Sequence, residues 1–278
     1  MLVIEFIVVL ILVSIFAGIF GSIVGLGGAV VTTPVLTLLL GVDVHFAIGA
    51  SIVAIIGTSS GAASTYVKDQ MTNLRVGMFL EIATTSGAIV GAAVAVYADS
   101  FLLKIVFGSI LVISLVPTLM KIGEDIPKNP ELKGLSKRLG LTGAYSEPNG
   151  TVVNYNATGP KAGLLGMAVA GLLSGLLGIG GGAFKVLSMD LAMKLPMKVS
   201  TATSNFMIGV TAAASAGIYF ARGDVNPLII APVALGILLG ATIGARFLVR
   251  ARNPTIRKIF AVVLAFAALE MVLSAFGI

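Results

Sequence analysis

The stretch Gly25-Leu26-Gly27-Gly28-Ala29-Val30-Val31-Thr32 decides how this chain folds, because it returns 153 residues later as Gly178-Ile179-Gly180-Gly181-Gly182-Ala183-Phe184-Lys185. The correspondence extends outward at the same offset and without a gap. Ala17-Gly18 falls on Ala170-Gly171, Ser51 on Ser204, Thr58 on Thr211, Tyr66 on Tyr219 and Asn73 on Asn226. The small-residue pair Gly87/Gly91 falls on Gly240/Gly244. One offset kept from Ala17 to Gly91 is the mark of an internal duplication. The chain divides into a first unit at 1–120, a linker at 121–160 and a second unit at 161–278.

What surrounds the glycines says where the units reside. Of the 278 residues, 57% are hydrophobic and only 11% charged, and the mean hydropathy is +1.07. A soluble domain of this size needs far more charge to cover its surface. Apolar runs at 2–24, 46–67, 76–98, 101–120, 161–177, 199–221, 228–249 and 256–276 reach or approach the roughly 20 residues that cross a bilayer core as a helix. They are rich in Gly and Ala, which suits close helix packing in lipid. The alternating segments of a strand barrel are not seen. The fold class predicted is therefore all-α, a polytopic membrane protein. The apolar start Met1–Ile23 could be a signal peptide, but it carries Glu5 in place of a basic start and belongs to the repeat, so it is taken as mature structure.

Each unit reads as a long helix, a Gly-rich break, a short apolar stretch and three further full-length helices. The short stretches, 29–41 and 183–194, would reach roughly 18 Å, too little to span. A broken helical hairpin with its bend inside the membrane is expected in each unit. This gives about eight full spans and two short or re-entrant helices. If the hairpin returns to its starting side, each unit ends on the opposite face, and the two repeats are inverted. Loop charge agrees: Asp43 corresponds to Lys194 and Lys198, and Asp99 to Arg250, Arg252, Arg257 and Lys258. The linker adds Lys121, Lys128, Lys133, Lys137 and Arg138. By the excess of Lys and Arg in cytoplasmic loops, the linker is placed in the cytoplasm and both termini outside a plasma membrane. The linker itself, broken by Pro127, Pro130, Gly134, Pro148 and Gly150, is expected to be a solvated tether with a short helix near 131–139. The sequons at Asn149 and Asn156 are weak patterns in such a place.

Several function classes are excluded at this stage. There is no cysteine and one histidine, His45, so thiolate metal sites and disulfides are ruled out. No metal site, cofactor, catalytic residue or enzymatic activity is expected. The net charge of +6 is assigned to cytoplasmic loops, with no nucleic acid as partner. The partners expected are the lipid bilayer, a small anion and a further copy of the chain as a homo-oligomer.

The residues that could carry chemistry start with the glycines. Gly25, Gly27 and Gly28, with Gly178, Gly180, Gly181 and Gly182, interrupt apolar helices. The short helix after each cluster begins with unpaired N–H donors and the positive end of its dipole. In lipid, exposed backbone persists only where it lines a cavity or meets a ligand, and paired broken helices of this kind hold anionic groups at the midplane. The evenly spaced Gly87/Gly91 and Gly240/Gly244 are instead assigned to helix packing. Ser51, Thr58, Ser59, Thr203, Ser204, Asn205 and Thr211 stand in apolar helices. They can donate to oxyanion oxygens or bond back to carbonyls four residues earlier, and both readings stay open. Lys185 is a charge at costly depth, placed to meet an anion, to pair with Asp190 or to snorkel to the surface. Glu81, midway along an apolar helix, is the candidate proton-coupling carboxylate.

Two copies of Gly-Φ-Gly-Gly, each followed by a short apolar stretch and then Ala-Ser or Thr-Ser, resemble the sulfite exporter family of TauE/SafE type, grouped as toluene sulfonate uptake permeases. The second unit is the closer match, through Gly178-Ile-Gly-Gly-Gly-Ala-Phe-Lys-Val, Pro196-Met-Lys-Val and Ala202-Thr-Ser-Asn-Phe-Met-Ile-Gly-Val-Thr211. The resemblance implies a transporter of sulfite, sulfonates or related anions, often proton-linked. It carries over Gly178, Gly180, Gly181, Gly182, Lys185, Thr203, Ser204 and Asn205 as site residues. In the first unit Gly25, Gly27, Gly28 and Ser51 match, but Ala29 replaces the last glycine and Thr32 stands where the second unit has Lys185. The function expected is secondary anion transport by alternating access, with a passive anion channel as the alternative.

Overall fold

A computed structural model describes residues 3–95, 97–120, 131–147, 150–178 and 180–275. The first unit forms α1 (Val3–Val24), α2 (Ala29–Pro34), α3 (Val44–Lys68), α4 (Leu74–Ala95) and α5 (Ser100–Met120). The second forms α7 (Pro160–Leu177), α8 (Gly182–Leu187), α9 (Met197–Arg222), α10 (Pro227–Arg250) and α11 (Asn253–Ala275). Both short helices, α2 and α8, run on into five-residue π-helical segments, Val35–Leu39 and Ser188–Ala192, at equivalent places in the repeat. Among the described residues, six helices (α1, α3, α4, α7, α9 and α10) are long and apolar enough to cross a membrane. Large apolar side chains such as Ile4, Phe16, Ile82, Leu165, Leu228 and Val262 stand exposed along the long helices. Patches of this extent belong in lipid. The molecule is a multi-pass, mostly helical membrane protein.

The all-α expectation needs one correction. Between the units lie a short α6 (Gly134–Leu139) and an antiparallel hairpin of β1 (Thr142–Ser146) and β2 (Val152–Asn156), with Tyr145 opposite Val153 and Gly143 opposite Tyr155. Each strand buries one tyrosine and turns the rest outward. The tether is therefore docked at this point, not solvated throughout. Leu141, Tyr145, Tyr155 and Ala157 join a core with Val76, Leu80, Met193 and Val199. Tyr155 Oη accepts from Asn73 Nδ2 at 3.0 Å, and Tyr145 Oη accepts from Asn253 Nδ2 at 3.0 Å. Burial pushes the Tyr155 hydroxyl up to about 12, so it stays neutral at any working pH. The hairpin thus straps the α3–α4 turn to the start of α11. Residues 121–130, with Lys121, Lys128, Pro127 and Pro130, lie outside the described residues, as do Pro148 and Asn149.

Helix packing follows the small residues. Gly236, Gly240 and Gly244 of α10 meet Ile11, Ile15 and Ile19 of α1, so these two helices run parallel; a Cβ on Gly240 would fall 2.0 Å from Ile15 O. The equivalent pairing places Gly87 and Gly91 of α4 on Ala168 and Leu172 of α7, again in parallel, where a Cβ on Gly91 would fall 2.0 Å from Leu172 O. These glycines serve close helix contact, as their spacing indicated. In the middle, α3 and α9 run antiparallel, with Gly49 against Asp224 and Ser59 against Gly209.

Candidate functional site: the meeting of the two helix breaks

A helix ending inside an apolar protein leaves carbonyls that need donors. At the end of α1 the chain turns through left-handed glycines, Gly25 at φ +78° and Gly27 at φ +68°, a conformation that other residues enter only at a cost. The freed carbonyls are met from two helices. Ser22 O accepts from Tyr66 Oη at 2.9 Å and from Asn205 Nδ2 at 2.7 Å, and Gly25 O accepts from Ser204 Oγ at 2.8 Å. At the end of α7 the equivalent tyrosine acts alike: Tyr219 Oη donates to Gly175 O at 2.7 Å. The repeat pairs Tyr66/Tyr219 and Ser22/Gly175 are thus one device used twice.

The two breaks touch. A Cβ on Gly182 would lie 2.3 Å from Gly25 O, and Gly27 and Gly180 both face Ile55 and Ile208. Gly28 faces Thr58 Oγ1, while Gly181 faces Ala170 O. Gly25 rests on Thr201 of α9, and Gly178 rests on Ile48 of α3, its repeat equivalent. Each break therefore leans on the other unit. The structure brings all seven predicted glycines to one region, together with Ser204 and Asn205.

Other predicted residues are held in hydrogen bonds of their own. Ser51 Oγ lies 2.7 Å from Thr33 Oγ1, sharing a proton within the first unit. Thr203 Oγ1 accepts from Asn73 N at 3.0 Å and so ties α9 to the start of α4. Thr58 bonds back to Ala54 O at 3.0 Å. Ser204 donates to a carbonyl of the opposite unit's break, and Asn205 Nδ2 donates both there and back to Thr201 O, four residues earlier, at 3.1 Å. Asn205 Oδ1, Thr201 Oγ1 and Ser200 Oγ are buried here without a hydrogen-bond partner among the described residues.

Lys185, 0% exposed, neither snorkels to the surface nor pairs with Asp190. Asp190 is held bidentately by Arg257 of α11, at 2.8 and 2.9 Å. Lys185 Nζ donates instead to Thr211 Oγ1 of α9. Thr211 Oγ1 lies 2.7 Å from Glu81 Oε1 of α4, and Thr85 Oγ1 donates to the same carboxylate oxygen at 2.9 Å. Glu81 Oε2 is buried without a hydrogen-bond partner among the described residues. Glu81 also lines a groove of about 570 Å³ between α4 and α9 that is open to the outer face, where Met78, Ile82 and Val210 stand exposed. A buried ammonium and a buried carboxylate are thus joined by one hydroxyl. Thr211 is one of the hydroxyls the sequence offers as a donor, through its match to Thr58 in the repeat, whereas nothing in the sequence marks Thr85 or Thr201.

The profile of the family described as Sulfite exporter TauE/SafE matches residues 10–271. The chain belongs to this family. Among its TauE/SafE relatives are two proteins of Bacillus subtilis (strain 168). The probable membrane transporter protein YunE is 28% identical over 272 residues, covering 95% of this chain and 97% of its own length. The probable membrane transporter protein YdhB is 26% identical over 239 residues, covering 86% and 89%. No solved structure matches the chain. As a TauE/SafE protein the chain is a membrane transporter.

Proposed function

We propose that this transporter carries a small anion of the sulfite and sulfonate class by alternating access, at the junction of the two helix breaks, with Glu81 as the proton-coupling carboxylate. The observation that carries the proposal is Lys185. It is a fully buried ammonium one turn into α8, with Thr211 as its hydrogen-bond partner among the described residues. A charge at that depth is kept for a cavity or a partner, and an anion entering between the breaks would meet it.

The architecture proposed is eight spans in two inverted repeats. In its support, the repeat-equivalent helices α3 and α9 run in opposite directions, and α1 with α10 exchanges for α7 with α4 under the repeat. Such repeats let one unit rock against the other around a central site. The orientation proposed puts the hairpin end in the cytoplasm of a plasma-membrane protein and both termini outside. At that end lie Lys133, Lys137, Arg138, Lys194, Lys198 and Arg252, against Glu5, Asp43 and Asp99 at the other, while the turns with Lys68/Asp69 and Arg222/Asp224 are nearly neutral.

Proteoliposomes loaded with sulfite are the direct test. Saturable, pH-sensitive sulfite flux is expected, lowered at least about tenfold in Lys185→Ala, a loss of about 1.4 kcal/mol, and lowered less in Ser204→Ala. Flux unchanged by both substitutions would remove the site from this region.

A further inference from the structure

The Lys185–Thr211–Glu81 chain joins two charges that have no other charged partner among the described residues. Asp190, the other acid near α8, is committed to Arg257. The charges on α9 stand at its ends, Lys198 on Val249 O and Arg222 on Asp224. On α4, Arg75 reaches Gly140 O, and on α7, Lys161 is exposed at the first turn. The repeat equivalents of the three residues are Thr32, Thr58 and Ala234, so the counterpart of this chain at the first break carries no charge.

We propose that anion occupancy at Lys185 sets the protonation of Glu81, with Thr211 as the link. This rests on the reading above that Lys185 meets the anion. In the empty protein the ammonium donates to Thr211 and the Thr211 hydroxyl donates to Glu81 Oε1, so the two buried charges cancel. An arriving anion draws the ammonium away from Thr211. Glu81 is then a buried carboxylate without its counter-charge, which is costly. A proton adds to Oε2, the carboxylate oxygen buried without a hydrogen-bond partner among the described residues. The cluster is neutral before and after: ammonium with carboxylate, then ammonium with anion beside a carboxylic acid. A monovalent anion therefore moves with about one proton, as linkage between the two binding events requires. Thr211 is a positioning residue in this scheme, since it acts through Glu81.

The test is infrared difference spectroscopy of the full chain in nanodiscs, with Glu81→Gln assigning the carboxylic-acid C=O band. Without any anion, Lys185→Met should show that band at a pH where the unaltered protein shows carboxylate, and Thr211→Val should show it in part. Lys185→Arg and Thr211→Ser, which keep the charge and the hydroxyl, should match the unaltered protein and exclude a folding artefact. A Lys185→Met spectrum with no such band overturns the switch, and a Thr211→Val spectrum like the unaltered one removes Thr211 from it. Methanesulfonate, a permanently ionised sulfonate, should then induce the band in the unaltered protein with uptake of about one proton per anion, and none in Glu81→Gln. Methanesulfonate bound without the band also overturns the switch. The infrared shift in Lys185→Met with no methanesulfonate or sulfite binding supports the switch and counts against the substrate class alone.

Discussion

The break at Gly25 rests on the head of α9, where Thr201, Ser204 and Asn205 stand, whereas the break at Gly178 rests on the head of α3, where Ile48, Ser51 and Ile52 hold the same positions. The backbones are alike: left-handed glycines, a six-residue helix, a π-helical turn and a tyrosine donating to the last carbonyls. The linings differ. The first break is bound by polar side chains of the second unit and carries Thr32 in its short helix; the second sits against apolar side chains and carries Lys185. The duplication thus gives the break twice, while the buried charge stands in one copy alone, and on the proposed reading that charge is what an anion would meet. A symmetric charged pair would double the desolvation cost of buried ions, and one ammonium suffices to compensate one anion.

Exchanging the side chains that differ would break this asymmetry. The largest effect should come from the short helices. Lys185→Met should lower anion flux in proteoliposomes at least about tenfold, while Thr32→Met, its repeat equivalent, should change it less than about twofold. Equal losses at the two positions would mean that the charge is not what distinguishes the units. Next, Asn205→Leu makes α9 resemble α3 and withdraws one donor from Ser22 O. A loss of about 1–3 kcal/mol, read as a lower thermal midpoint, is expected. The reverse change, Ile52→Asn, should also destabilise, by burying an amide beside apolar Gly178 surroundings.

The tyrosines sharpen the same point at smaller scale. Ser22 O has two side-chain donors, Tyr66 and Asn205, whereas Gly175 O has Tyr219 as its side-chain donor among the described residues. Tyr219→Phe should therefore cost about 1–3 kcal/mol and Tyr66→Phe nearer 1 kcal/mol. The reverse order in chemical or thermal unfolding would contradict the geometry. Smallest is the hairpin end. Tyr155 titrates near 12 in the folded protein and near about 10 when unfolded. Its raised value favours the neutral form, so its contribution is full below about pH 10 and is lost as pH rises toward 12. The thermal midpoint of the unaltered protein should fall more steeply over that range than that of Tyr155→Phe.

The helices and breaks were legible because each rests on a local signal: an apolar run of spanning length, or glycines repeated at one offset. Lys185 and Glu81 were legible for a related reason, since a charge inside an apolar run has no local excuse. What joins them was not. A threonine in a helix usually bonds back to its own backbone, and Met207 O, 2.9 Å from Thr211 Oγ1, is the competing acceptor for its one proton; only the approach of α4 and α8 to α9 offers it Glu81 and Lys185. Asp190 was drawn to Lys185 by closeness in sequence, while its partner Arg257 comes from a helix 67 residues away. The hairpin escaped notice because each strand is five residues long and buries one tyrosine, too little alternation to stand out among Gly, Pro and Asn.

Access to the two heads decides whether the units rock against each other. The chain has no cysteine, so Thr201→Cys and Ile48→Cys, the repeat equivalents that face Gly25 and Gly178, can each be probed alone. Membrane-impermeant thiol reagents added from either side, with and without sulfite, report which head is open. Alternating access predicts reciprocity: Thr201→Cys labelled from the hairpin side, Ile48→Cys from the other, and sulfite raising one rate as it lowers the other. Labelling of both positions at once, from either side and unmoved by sulfite, would describe a continuous pore and contradict the account.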